Sequence, residues 1–90
     1  MKAKTTRRFR DLLATLPEPV QRQAHEAYRL FRDNPSHPNL RFKPISPGDP
    51  TIYSVRVGRR YPAIGVREED TIVWVWIGSH ADYDREIERA

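Results

Sequence analysis

Cysteine is absent from this 90-residue chain, so neither a disulfide nor a thiolate metal site can reinforce its fold. A long apolar run is missing as well: nothing approaches the ~20 residues that a membrane-spanning helix requires. The opening segment MKAKTTRRFR is basic but lacks the apolar core of a secretory signal. No internal repeat or low-complexity tract divides the chain, and its length corresponds to a single domain over residues 1–90. A domain this small buries only ~60% of the surface its unfolded chain exposes, which limits the core. These absences lead to the expectation of a soluble, cytoplasmic domain with no membrane contact and a reducing environment.

What is present is positive charge, unevenly placed. The net charge is +4, yet residues 1–45 hold ten Lys/Arg against four Asp/Glu, and residues 46–90 hold six against eight. A basic half favours a polyanionic partner, because each phosphate it neutralises releases counterions. A charge of this size also suits an ordinary solvated surface, so it does not decide between the two.

The first half has helical periodicity. Phe9, Leu12, Leu13 and Leu16 share one face at i, i+3, i+4 and i+7. Thr15-Leu16-Pro17-Glu18 has the form of a capping box for a second helix, along which Val20, Ala24, Ala27 and Phe31 recur. Asn34-Pro35 ends that helix, since the residue before proline is pushed out of the α region. The result is an αα-hairpin over roughly residues 6–16 and 18–33. In the second half the period changes to two. Leu40 to Lys43 alternates apolar and basic until Pro44, and Ser46 to Pro50 is a turn cluster. Strands follow over Tyr53–Val57, Tyr61–Val66 and Ile72–Ile77, separated by Gly58-Arg59-Arg60 and Glu68-Glu69-Asp70. The last strand is apolar on both parities, which suits a central strand covered on both faces. Residues 81–89 form a short amphipathic helix through Tyr83 and Ile87. The pattern predicts an α+β fold, with the helical hairpin on one face of a three- to four-stranded antiparallel sheet. Arg41, Lys43 and Arg56 would project as one patch from the other face.

Titratable groups gather where the last strand ends, in Gly78-Ser-His-Ala-Asp-Tyr-Asp84. His25 and His37 share no metal-ligand spacing with His80, and no cysteine supports a metal site. Ser79 cannot easily be set against the imidazole of its own neighbour, and no nucleophile elbow surrounds it, so acyl transfer is disfavoured. Asp82, Asp84, Glu86 and Glu88 lie two apart, do not converge on a helix, and read as a solvated face. Trp74 and Trp76 share a strand parity and read as core in preference to base-stacking platforms. Arg59 and Arg60 suit phosphate contact or the solubility of an exposed turn. His80 suits a helix start or a proton-transfer role. Cleavage of RNA by its own 2′-hydroxyl needs a base for that hydroxyl, a proton for the 5′-oxygen and cations for the phosphoryl charge. Histidine, which in water titrates near ~6.5, serves either proton role, and arginine supplies fixed planar donors. That chemistry calls for no metal or other cofactor.

On LRFK (Leu40–Lys43), IYSVRVGRRY (Ile52–Tyr61) and WIGSHADYD (Trp76–Asp84), in that order behind an αα-hairpin, the chain resembles the RelE/ParE superfamily of bacterial toxin–antitoxin systems. The resemblance covers roughly residues 7–88, and WIGSHADYD is its most specific piece. It implies a small α+β toxin, often a ribosome-dependent mRNA endonuclease, held inactive by a cognate antitoxin that wraps it. A gyrase-poisoning branch shares the fold, and a degenerate member would bind antitoxin or RNA without cleavage. Position by position, the resemblance sets Arg56, Arg41 and Lys43 beside the RNA phosphate and gives His80 and Tyr83 the proton-transfer or nucleotide-positioning places. Endonuclease members typically carry arginine directly after the third-strand tyrosine; this chain has Tyr61-Pro62, and a proline there also suggests an edge or a bulge.

Overall fold

A computed structural model of the protein describes residues 1–46 and 48–89. Helix α1, Arg7–Ala14, starts at Thr6, whose Oγ1 accepts a hydrogen bond from the Phe9 N–H at 3.1 Å. Helix α2, Glu18–Asp33, ends at Asn34 before Pro35, as expected from the sequence. The expected capping box does not form. Pro17 is the N-cap of α2 without a side-chain bond, while the Thr15 hydroxyl turns back and donates to the Leu12 carbonyl at 2.7 Å. Thr15 therefore closes α1 instead of opening α2.

The sheet has five strands in the order β1-β5-β4-β3-β2: β1 Lys2–Thr5, β2 Lys43–Ser46, β3 Asp49–Val57, β4 Tyr61–Glu68 and β5 Thr71–Ile77. Three of its pairings are antiparallel, and β1 runs parallel to β5, with Lys2 opposite Thr71 and Lys4 opposite Val73. The α+β class and the helical hairpin agree with the sequence reading, whereas the strand count exceeds it by β1. Helix α3, His80–Arg89, closes the chain. Of the turn expected over residues 46–50, Pro47 lies outside the described residues. Among the described residues, no helix is long and apolar enough to cross a membrane.

Two local corrections bear on the site. The alternation Leu40–Lys43 is not a strand. Pro38–Leu40 is a 3₁₀ turn, Arg41 caps it in the left-handed region (φ 49°), and β2 begins only at Lys43. Pro44 sits inside β2, which is acceptable because β2 is an edge strand with no partner on its outer side. The second correction is a β-bulge in β5. Ile64 opposes Trp76 and its neighbour Gly65 opposes Trp74, so Val75 is the extra residue and the two indoles leave on opposite faces.

Trp74 points toward the helices, edge-on to Phe31 (centroids 5.3 Å, 80°) and to Phe42 (6.4 Å, 70°). It belongs to the main core with Phe9, Val20, Ala24, Val55, Val57 and Ile72. A Cβ at Gly65 would approach the Trp74 ring to 2.7 Å, so glycine there lets the indole lie against the β4 backbone. Trp76 is also buried but lies outside that cluster, on the face turned away from α1 and α2.

Candidate functional site

The chemistry-bearing tail is held by packing and capping. The β4–β5 ladder continues one bond past β5, from the Gly78 N–H to the Pro62 carbonyl at 3.3 Å. A Cβ on Gly78 would come within 2.7 Å of Trp76 Cζ2, so the bare backbone is what lets that indole fold over the strand exit. Ser79 then caps α3. Its Oγ accepts from the Asp82 N–H at 3.3 Å and donates to Asp82 Oδ2 at 3.1 Å. Asp82 also pairs with Arg85 at 3.2 Å. Ser79 and Asp82 are thereby occupied in starting the helix.

His80 is the first residue of α3 and is exposed. Its ring stands perpendicular to that of Tyr83 (centroids 6.4 Å, 85°), and Tyr83 leans in turn on Trp76 (6.3 Å, 42°). Trp76 thus supports the tyrosine from behind, and the half-buried Tyr83 stands beside an imidazole open to solvent. One turn beyond Tyr83, Glu86 pairs with Arg8 of α1 at 3.1 Å, a contact between the helix and the body of the domain.

Register decides which cations share this side of the sheet. Lys43 opposes Ser54, Ser54 opposes Ile64, and Ile64 opposes Trp76; Arg56 opposes Pro62, whose carbonyl receives the Gly78 N–H. Lys43, Arg56 and Trp76 therefore project from the face away from the helical hairpin. Arg56 and Gly78 stand two strand spacings apart, roughly 10 Å. Arg41 does not join them as a strand residue, because its left-handed cap conformation takes it out of the β2 ladder. Only two of the three expected cations, Lys43 and Arg56, are set on one patch by strand register.

Arg56 carries an unusual feature: its Nε is buried and has no hydrogen-bond partner. Buried donors in native folds are almost always satisfied, and an orphan costs stability. Arg56 lies past the last β2–β3 pair, at the outer edge of β3, and so also borders an open groove of about 700 Å³. Arg22, Gln23 and Glu26 of α2 and Arg59 of the β3–β4 turn line the same groove. Arg59 and Arg60 are both exposed in that turn, where Gly58 adopts φ 61°.

Pro62 is buried in β4, an interior strand, so it does not mark a sheet edge. It is tolerated because its nitrogen falls where β5 has already ended, next to Gly78, and one ladder donor fewer is needed there. The position after Tyr61 thus holds a buried apolar ring. Lys2 and Lys4 of β1 lie in the opening segment, which the sequence marks only as basic. Their signal was the period-two alternation Lys-Ala-Lys-Thr.

Among curated proteins, none matches the chain by sequence. Solved structures match it closely in fold. The RelB–RelE antitoxin–toxin complex from Methanococcus jannaschii matches with TM-score 0.74 at 21% identity, over 91% of this chain and 96% of that one. YafQ from E. coli strain BL21(DE3) matches with TM-score 0.72 at 10% identity, over 91% and 96%. The RelBE2 toxin–antitoxin complex from Mycobacterium tuberculosis matches with TM-score 0.68 at 20% identity, over 88% and 96%. The family model of the ParE-like toxin domain matches residues 18–85, which spans α2, all of β2 to β5 and most of α3. On that match the chain belongs to the ParE-like toxin domain family, within the RelE/ParE superfamily of toxin–antitoxin toxins.

Proposed function

We propose that this toxin is a metal-independent endoribonuclease acting on single-stranded mRNA, with His80, Tyr83 and Arg56 as its reacting constellation. The observation that carries the reading is the strand register that sets Lys43 and Arg56 on the sheet face leading to His80. A phosphate between Arg56 and His80 would accept from the guanidinium and lie within reach of the imidazole. In the reaction the RNA 2′-hydroxyl gives up its proton to a base, and its oxygen attacks phosphorus. The bond from phosphorus to the 5′-oxygen breaks, and that oxygen takes a proton. His80 serves one of these proton transfers. Tyr83, stiffened by Trp76, positions the nucleotide or donates the other proton. Arg56, with Lys43, neutralises charge that builds on the phosphoryl oxygens. Arg41, Arg59 and Arg60 are exposed cations for flanking phosphates.

The RelE and RelBE2 structures are complexes with their antitoxins, which supports a cognate antitoxin as this toxin's partner; the proposed substrate is cytoplasmic mRNA, on or off the ribosome. Expression without the antitoxin should arrest growth, and His80→Ala should relieve the arrest at equal protein level. Continued arrest in that variant would remove His80 from the mechanism.

Pro62 favours a second reading. Where endonuclease relatives place an arginine, this chain buries a proline, and a toxin that binds gyrase, or a member that binds antitoxin or RNA without cleaving, needs no cation there. Pro62→Arg should then create or sharply raise RNA cleavage, and unchanged cleavage would count against the degenerate reading.

A further inference from the structure

Strand β1 alters the extent of the cationic face. Ala3 and Thr5 pair with Ile72 and Trp74 and lie on the helix side, where the Tyr28 hydroxyl donates to the Ala3 carbonyl at 2.7 Å. Lys2 and Lys4 consequently project from the opposite face, the one that carries Arg56 and Trp76, and both are exposed. Neither takes part in an ion pair among the described residues. Across the sheet, Lys4 stands in a row with Val73, Val66 and Ile52, all half-buried and apolar. The next rows toward His80 hold Trp76, Ile64, Ser54 and Lys43, then Gly78, Pro62 and Arg56. None of these positions is acidic. In the other direction, Lys2 shares its row with Thr71 and Glu68, whose exposed carboxylate lies two strands away.

We propose that single-stranded RNA crosses this face from the His80–Arg56 end toward β1, and that Lys4 holds a phosphate a few nucleotides from the scissile one. The inference rests on the endoribonuclease reading above and adds a direction and a length to the bound strand. From Gly78 to Lys4 the path is about four residues along β5 and one strand across, roughly 15 Å. Next to Lys4 the strand meets the half-buried Val73, Val66 and Ile52, whereas Trp76, Ile64 and Pro62 nearer Arg56 are buried and leave the cations at each end as the principal contacts. Glu68 repels phosphate beyond Lys4, so the track stops there and Lys2 contributes less.

Anisotropy of a fluorescently labelled, unstructured RNA oligonucleotide tests this on a His80→Ala background, with KCl as the variable. Lys4→Ala should weaken binding and reduce the slope of log K against log[KCl] by about 0.7, the value of one phosphate contact on a single strand. Lys4→Arg should restore the slope, and Lys2→Ala should change it less. An oligonucleotide too short to reach β1 should bind the Lys4→Ala and parent proteins alike. If Lys4→Ala leaves the slope unchanged while Arg56→Ala reduces it, RNA binds but does not run to β1, and the inference falls alone. If the His80→Ala protein has no salt-dependent affinity for RNA, the inference and the endoribonuclease reading fall together.

Discussion

Replacing Arg56 by methionine should make this protein more stable and less able to bind RNA. Methionine keeps an unbranched stem of similar length, so the packing made by the aliphatic part of Arg56 is largely preserved. What disappears is a buried Nε with no acceptor. An unsatisfied buried donor costs about 1–3 kcal/mol, and exchanging it for an apolar group of like shape recovers part of that. Against the ~5–15 kcal/mol by which small domains are stable, a gain near the lower end, about 1 kcal/mol, is measurable. In a domain of this size it corresponds to a rise in Tm of about 4–8 °C. Urea unfolding should show a higher midpoint with an unchanged slope, since the surface exposed on unfolding is nearly the same. RNA affinity should fall in the same variant, the exchange of stability for function expected where a group is kept for its ligand. A lower urea midpoint would refute the reasoning, because it would mean that Arg56 already has a partner within the fold.

Further outcomes follow from the same geometry. Gly78→Ala places a Cβ 2.7 Å from the Trp76 ring; it should destabilise the domain by about 1–3 kcal/mol in urea unfolding, the usual cost of overpacking. Because Trp76 supports Tyr83, the same change should also lower cleavage per folded molecule. Phe31→Ala removes a ring that meets both Phe42 and Trp74 and should cost about 3–5 kcal/mol by the same assay, while the His80–Tyr83 end keeps its arrangement in whatever fraction folds. The Asp49 carboxyl accepts from the hydroxyl and the backbone N–H of Thr51, at 2.6 and 2.9 Å, and is held below the usual carboxylate range, chiefly by the hydroxyl. Its contribution to stability is therefore present above the ordinary carboxylate range and is lost as pH falls through its own lowered pKa. Thr51→Val should raise that pKa in an NMR titration of the Asp49 carboxyl.

The helical hairpin was legible because its signals are local: apolar spacing and a proline after Asn34 act within a turn or two of the residues that carry them, although the capping box expected at Thr15 does not form. The exit of the last strand was legible for a similar reason, since Gly78 and Ser79 mark the end of β5 and the start of α3 by themselves. Strand β1 was not legible. Lys2–Thr5 becomes a strand only by lying parallel to β5, whose residues are nearly seventy positions away, and the four-residue alternation Lys-Ala-Lys-Thr is too short to announce such a partner by itself. The bulge at Val75 was hidden for a different reason. In Val-Trp-Val-Trp every residue is a good strand former, so the pattern does not say where an extra residue is inserted, and the one-residue slip turns Trp76 to the other face. Arg41 misled because its neighbours alternate apolar and basic, while a left-handed cap outside the ladder leaves that alternation intact. Of the candidate site, the sequence supplied His80, Tyr83, Arg56 and Lys43, and the structure added the device that positions two of them. Trp76 folds over Gly78 and props Tyr83 beside His80. It also brought Lys4 onto the same face.

The central claim is tested most directly by mapping the 5′ ends of cellular messages after the toxin is induced without an antitoxin, beside the His80→Ala variant at equal abundance. The account predicts new 5′-hydroxyl ends within coding regions in the wild-type culture and none above background in the variant. Growth arrest with intact messages, or the same ends in both cultures, would contradict it.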